Sequence, residues 1–244
     1  MQKKVSIIFG GTKGIGKVVS KTLAKRGDLV ITASRKNLKK KSHLSVDLGL
    51  EKSKIKSCIS EYFINKNLKI NNIIFSQRYR GDDPKLDFEV SLNSTSTIIE
   101  LLKNKMTKDS SIVLISSIAI KTILDDQPLS YHLTRAGIYQ MTKYYAVTLG
   151  SKGIRFNCVL PTKIIKPENY KFYNKKNNPI TLMMKKITPL KRMGNSQDVA
   201  NLVEFLTSKK SSFITGCSIP IDGGTHLQSH ESIAKKCLIK DYAA

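Results

Sequence analysis

The sequence has little of what marks a disulfide-built, metal-binding or membrane-embedded protein. Its four cysteines, Cys58, Cys158, Cys217 and Cys237, stand far apart with no Cys-x-x-Cys pair. That spacing argues against both a disulfide framework and a thiolate zinc site. The four histidines, His43, His132, His226 and His230, show no metal-ligand pattern, and only the last two are neighbours, so no metal is expected. No apolar run approaches the roughly twenty residues of a membrane helix. Lys3 and Lys4 precede an apolar stretch, but it is short and enters a glycine turn at once. It reads as a core strand rather than a signal peptide, and a reducing cytoplasm is the expected location. Tryptophan is missing, and no linker-like segment divides the 244 residues. One domain, 1–244, is therefore expected.

Acidic residues are also scarce: 18 against 42 basic ones, for a net charge of +24. Such an excess invites a nucleic-acid reading. Only seven of the 42 are arginines, however, and the lysines are scattered beside abundant Ile and Asn, as in the run from Asn65 to Asn72. This composition looks like a codon bias, which leaves a solvated lysine surface and no expected nucleic-acid or membrane partner. The densest cluster, Arg35-Lys36 with Lys39-Lys40-Lys41, has a position that gives it a more specific use.

What the sequence does contain is an alternation of short β-rich apolar runs with longer helical patterns. Strands are expected at Val5–Phe9, Leu29–Ala33, His43–Val46, Ile70–Phe75, Ile112–Ser116, Ile154–Val159 and Cys217–Ile221. Helices are expected at Gly14–Arg26, Lys52–Phe63, Phe88–Lys105, Tyr131–Gly150 and Ser196–Thr207. This order implies an α/β fold: a doubly wound, Rossmann-type parallel sheet of about seven strands with helices on both faces. Residues 163–189, rich in Lys, Asn, Tyr and Pro, read as a substrate lid, and 225–244 as a C-terminal tail. Only Lys36–Ser42 separates Arg35 from His43, too little for a crossover helix between parallel neighbours.

The first strand runs into Gly10-Gly11-Thr12-Lys13-Gly14-Ile15-Gly16, then an amphipathic helix with Val18, Val19 and Leu23. A glycine-spaced turn between strand and helix presents backbone N–H groups and the helix dipole to a pyrophosphate. Gly10, Thr12, Lys13, Gly14, Ile15 and Gly16 are thus candidate dinucleotide contacts. An acid after the second strand would accept from the adenosine ribose, but Ser34 and Arg35 stand there, and a guanidinium suits a 2′-phosphate. NADP(H) is therefore expected ahead of NAD(H). At the end of the third strand Asp47, beside Leu48, is placed either to accept from the adenine amino group or to cap the next helix.

Together with the glycine turn, Ile115-Ser116-Ser117 and Tyr131-His132-Leu133-Thr134-Arg135 resemble the short-chain dehydrogenase/reductase family. The likeness continues through Pro189–Gly194, Asp198-Val199-Ala200, Ile214-Thr215-Gly216 and Ile221-Asp222-Gly223-Gly224, and is broadly to the 3-oxoacyl-carrier-protein reductase branch. It implies that Tyr131 exchanges a proton with a carbonyl or alcohol oxygen, that Ser117 holds that oxygen, and that a cation one turn beyond Tyr131 assists. A free phenol titrates near 10, which is why such a cation matters. Ser76, Tyr131, Arg135 and Ile164 would then face the nicotinamide end of the cofactor. Ser116 is the alternative hydroxyl, since alternation along a strand sends it to the other face.

The sequence departs from the family pattern in four places. Arg135 replaces the usual lysine; Ser76-Gln77-Arg78 replaces Asn-Ala-Gly; the helix asparagine is represented by Ser91 or Asn93; and Ser117 lies fourteen positions before Tyr131, one more than usual. The leading expectation is an NADP-dependent oxidoreductase interconverting a ketone and a secondary alcohol. Arg78, Arg80, Lys163, Lys166 and Lys171 would favour an anionic substrate, either acyl-carrier-linked or an acidic or nucleotide sugar. The alternative is a catalytically weak NADP-binding sensor or assembly subunit. The resemblance also implies a homodimer or homotetramer built on the helices at Phe88–Lys105 and Tyr131–Gly150.

Overall fold

The computed structural model describes residues 3–239 except 65 and 67. A seven-stranded sheet runs in the order β3-β2-β1-β4-β5-β6-β7, every pairing parallel. The strands are β1 (Val5–Phe9), β2 (Leu29–Ser34), β3 (His43–Ser45), β4 (Ile70–Phe75), β5 (Met106–Ile115), β6 (Arg155–Pro161) and β7 (Ser218–Ile221). The helices are α1 (Gly14–Lys25), α2 (Lys52–Phe63), α3 (Pro84–Phe88), α4 (Ser94–Leu102), α5 (Leu129–Gly150), α6 (Tyr170–Tyr173), α7 (Pro179–Ile187), α8 (Ser196–Leu206) and α9 (His230–Leu238).

Strand alternation explains the two cores. Val5, Ile7 and Phe9 of β1, with Ile112 and Leu114 of β5, point to one face and pack with Ile55 and Ile59 of α2, Ile98 of α4 and Leu149 of α5. Ile8 and Val113 point to the other face, where Val19 and Leu23 of α1 meet Val199, Val203 and Leu206 of α8. A strand buried on both sides has to be apolar throughout, which is why β1 reads as an unbroken run. The order reverses between β1 and β4, so the crevice above their carboxyl ends is the topological switch point where doubly wound folds bind ligands.

Two departures from the expected elements have physical causes. The helix expected at Phe88 begins at Pro84, because Asp83 accepts from the N–H groups of Lys85 (2.8 Å) and Leu86 (3.4 Å) and proline suits the first turn. A π-helical turn over Glu89–Asn93 joins α3 to α4. Strand β5 starts at Met106 rather than Ile112, despite its polar opening. Its buried hydroxyls find acceptors there: Ser110 donates to the Ile70 carbonyl (3.0 Å) and Ser111 to the Leu206 carbonyl (2.8 Å).

The short β2–β3 connection is a loop held by His43. Its Nδ1 lies 2.8 Å from Thr32 Oγ1, and its Nε2 is 2.6 Å from the Lys36 carbonyl and 3.3 Å from Ser34 Oγ. One buried imidazole thus closes a parallel crossover that has no room for a helix.

Candidate active site

The glycine turn sits at the switch point. Gly10 has φ +75°, and a Cβ there would lie 2.7 Å from the Gln77 nitrogen and 2.8 Å from the Ser76 carbonyl carbon. A Cβ on Gly16 would lie 2.3 Å from the Gly10 carbonyl oxygen. Both positions therefore have to be glycine if helix, strand and turn are to approach this closely. Ser20 ties the turn to α1 by donating to the carbonyls of Gly11 (3.2 Å) and Gly16 (2.8 Å). Lys13 sits at the helix start with an extended backbone and no side-chain cap, so the first N–H groups of α1 are left for an acceptor.

One of those N–H groups already has an acceptor that sequence reasoning did not anticipate. The Gly14 N–H donates to Oε1 of Glu168 at 2.8 Å, so a carboxylate from the loop after β6 occupies the anion position. Burial works against the charge of Glu168. The Gly14 N–H, its own backbone N–H, Lys17 and Lys166 outweigh it and hold the carboxyl below its ordinary range. The neighbouring Lys166 lays its chain against Gly14. Burial first, then Arg80 and Arg78, depress the proton affinity of its amine. Three of the five expected cations, Arg78, Arg80 and Lys166, thus lie within electrostatic reach of one another at the mouth of the crevice.

At the other end, Arg35 is exposed just beyond β2. The Ser34 hydroxyl is engaged locally, accepting from the Lys36 N–H at 3.3 Å as well as meeting His43. Asp47 does not cap α2, whose N-cap is Glu51 without a side-chain bond. Instead it accepts from Gly49 at 3.0 Å in a local turn. The Leu48 and Ile164 side chains are buried in the two cores, leaving only their backbone to face a ligand.

The middle of the crevice holds the reactive candidates. Ser117 lies two residues past the end of β5, buried, and accepts from the Ala119 N–H at 3.2 Å, capping a 3-10 turn over Ile118–Ile120. Tyr131 is buried in the first turn of α5, and Arg135 follows one turn later with 2% exposure. Two guanidinium groups face the Tyr131 ring: Arg78 with Cζ 4.6 Å from the centroid and Arg135 at 4.9 Å. Arg78 also donates to Gln127 Oε1 at 2.6 Å. His132 accepts from the Leu124 N–H (3.0 Å) at the crevice wall and is not directed to a second acid role.

Ser91 and Asn93 are separated by the structure. Ser91 is buried and accepts from Arg135 Nη2 at 2.8 Å, while Asn93 faces outward and donates to Glu89 at 2.8 Å. Asp87, which the sequence reading passed over, accepts from the Ser91 hydroxyl at 2.9 Å and lies 4.0 Å from Arg135. Burial lowers the proton affinity of Arg135, with Tyr131 and then Asp87 opposing it. A guanidinium keeps its proton under any physiological condition. Below it, burial pushes the Cys158 thiol up to about 12, so this cysteine is a neutral packing group.

Buried Gln77 Oε1, Ser116 Oγ and Arg135 Nε have no hydrogen-bond partner. The unpaired Gln77 oxygen, on the residue whose nitrogen a Gly10 Cβ would strike, and the unpaired Arg135 Nε beside Tyr131 fit an extended polar ligand such as a dinucleotide. Among the described residues no cluster of metal-ligating side chains occurs, and no helix is long and apolar enough to cross a membrane.

Comparison with known proteins agrees with this geometry. The family model described as enoyl-(acyl carrier protein) reductase matches residues 76–226. A tropinone reductase homolog of Arabidopsis thaliana is 31% identical, over 91% of this chain and 91% of its own. The oxidoreductase UcpA of Escherichia coli O157:H7 is 25% identical, over 94% and 97%. The solved structure of a short chain dehydrogenase from Leptospira borgpetersenii serovar Hardjo-bovis, with bound NAD+, superposes with a TM-score of 0.77 at 29% identity, covering 93% of this chain and 94% of its own. A strand order that reverses above Gly10, a Tyr131-x-x-x-Arg135 pair in the crevice, and matches along most of the sequence place this chain in the short-chain dehydrogenase/reductase family.

Proposed function

We propose that this protein is an NADP-dependent reductase of a ketone, or dehydrogenase of the matching secondary alcohol, with Tyr131, Ser117 and Arg135 as its working side chains. The observation that carries the reading is the buried Tyr131 phenol with a guanidinium on the ring, one helical turn from it, at the switch-point crevice. Gly10, Thr12, Lys13, Gly14, Ile15 and Gly16 would hold the pyrophosphate, and Ser76, Ile164, Tyr131 and Arg135 the nicotinamide riboside. When bound, the nicotinamide supplies or receives the hydride. Ser117 donates to the substrate oxygen and fixes it beside the phenol. Tyr131 gives its proton to that oxygen in reduction and takes one in oxidation, with the Arg135 guanidinium against its ring.

The preference for the 2′-phosphorylated cofactor rests on Arg35, exposed past β2 with no carboxylate at the ribose position. NAD(H) is the competing cofactor, as bound in the Leptospira relative. The cationic mouth formed by Arg78, Arg80 and Lys166 supports an anionic substrate, a carrier-linked acyl group or an acidic or nucleotide sugar. Exposed apolar residues on α5, including Leu133, Tyr144 and Val147, support self-association into a dimer or tetramer. Residues 163–189, with α6 and α7, would act as the lid. A second reading, a cofactor-binding sensor with little turnover, draws on Glu168 holding the Gly14 N–H and on Arg135 being committed to Ser91.

An NADPH-oxidation screen over acidic and neutral ketones separates these readings. Turnover favouring acidic ketones is expected. Binding of NADPH without oxidation of it by any carbonyl would leave the sensor.

A further inference from the structure

Arg135 needs a counter-charge, because a guanidinium with 2% exposure is stable only when paired and hydrogen-bonded. Its neighbours come from two other elements. Asp87 lies in the last turn of α3 at 5% exposure, and Ser91 follows it by four positions in the π-helical turn, so both look toward α5. Arg135 Nη2 donates to Ser91 Oγ at 2.8 Å, Ser91 donates to Asp87 Oδ1 at 2.9 Å, and the direct Nη2–Oδ1 separation is 4.0 Å. The hydroxyl thus bridges the two charges, and the far end of the chain is a carboxylate that no substrate or cofactor has to touch. The other side of the guanidinium lies on the Tyr131 ring. Nε is buried without a partner, a donor left for a bound acceptor.

We propose that Asp87, acting through Ser91, is the positioning residue that holds the Arg135 guanidinium on Tyr131, so that an arginine serves where a flexible lysine would need no such anchor. The proposal rests on the reading of Tyr131 and Arg135 as working side chains, and it predicts that the two anchors matter because position 135 is arginine. A planar fork has a fixed orientation to be held, whereas an ammonium is a rotatable point charge.

The test uses the full chain labelled with 15N-arginine, in which the Arg135 Nε–H resonance is identified by its loss in Arg135→Lys. In the native protein this buried proton is expected to exchange slowly with water. Asp87→Asn and Ser91→Ala are each expected to speed its exchange tenfold or more, with melting curves confirming that the variant is folded. Ser91→Ala keeps both charges and so remains informative if Asp87→Asn does not fold. Asp198→Asn, which weakens the outer pair with Arg192 and the bond from the Asn195 N–H at the start of α8, is expected to leave the resonance unchanged. With an accepted carbonyl substrate, Ser91→Ala should lower kcat five- to twentyfold while KM stays within twofold, and Ser91→Thr should restore most of it. Unchanged exchange in the folded variants overturns the proposal, as does unchanged kcat where exchange has risen. Faster exchange in a protein that turns over no carbonyl upholds the positioning of Arg135 and removes the reductase reading instead.

Discussion

Removing the Glu168 carboxylate should tighten cofactor binding. The carboxylate accepts from the Gly14 N–H at 2.8 Å, in the position that a pyrophosphate oxygen takes in a dinucleotide fold. A cofactor has to displace it and forfeits that bond. Charge-assisted hydrogen bonds contribute about 1.5–3 kcal/mol when buried. Glu168 is exposed, so solvent screening reduces this to about 0.5–1 kcal/mol. At 1.4 kcal/mol per decade, Glu168→Ala should lower the Kd for NADPH about two- to fivefold, with Glu168→Gln in between because it still offers a neutral acceptor. The charge of Glu168 is held by Gly14, Lys17 and Lys166, so its carboxyl stays below the ordinary range. The sign follows: the contact is complete above the unfolded glutamate value, about 4.3, and is lost only as pH falls through the lower folded value. The gain from the substitution should therefore be the same at pH 6 and pH 9. NADPH fluorescence titration measures it. An unchanged or weaker affinity in Glu168→Ala would refute competition between the carboxylate and the cofactor.

Other expectations follow from the same geometry. Arg35→Ala should weaken NADPH by about tenfold, roughly the 1.5 kcal/mol of one charge-assisted contact, and leave NADH within twofold; equal losses for both cofactors would place the 2′-phosphate elsewhere. Gly16→Ala puts a Cβ 2.3 Å from the Gly10 carbonyl oxygen, so it should destabilise the fold by about 1–3 kcal/mol in urea unfolding and raise the Kd for NADPH at least tenfold. Burial opposes the charge of Asp222, but N–H groups of His226 and Gly224 and the His226 ring hold its carboxyl below the usual range. That contribution is complete above the unfolded value near 3.9 and vanishes as pH falls through the folded one. Asp222→Asn should therefore be about 1–2 kcal/mol less stable at pH 7, with the difference shrinking as acid protonates Asp222, whereas a pH-independent difference would contradict the assignment.

How much of this was legible in the sequence depended on how local the cause was. The strand runs and the glycine turn are written in neighbouring residues, and β1, β4 and α2 match their expected bounds. The missed start of α3 had a local signal, Asp83-Pro84, which outranks the first apolar residue as a helix origin. The early start of β5 had none, because Ser110 and Ser111 are satisfied by carbonyls 40 and 95 positions away. The site divides in the same way. The four-residue spacing of Tyr131 and Arg135 puts them on one helix face. The destination of Arg135 depends on Ser91, 44 positions earlier, and the acceptor at Gly14 comes from 154 positions later. No window of sequence contains those pairs. Ser91 rather than Asn93 meets Arg135 because Ser91 is the one buried against α5.

The account stands most directly on Tyr131. Steady-state NADPH oxidation with the best carbonyl substrate, compared between the native protein and Tyr131→Phe, is predicted to show kcat reduced at least a hundredfold, about 2.7 kcal/mol of barrier, with NADPH affinity within threefold. Turnover in Tyr131→Phe within fivefold of native would contradict it, because the proton would then reach the substrate oxygen by a route that does not use this phenol.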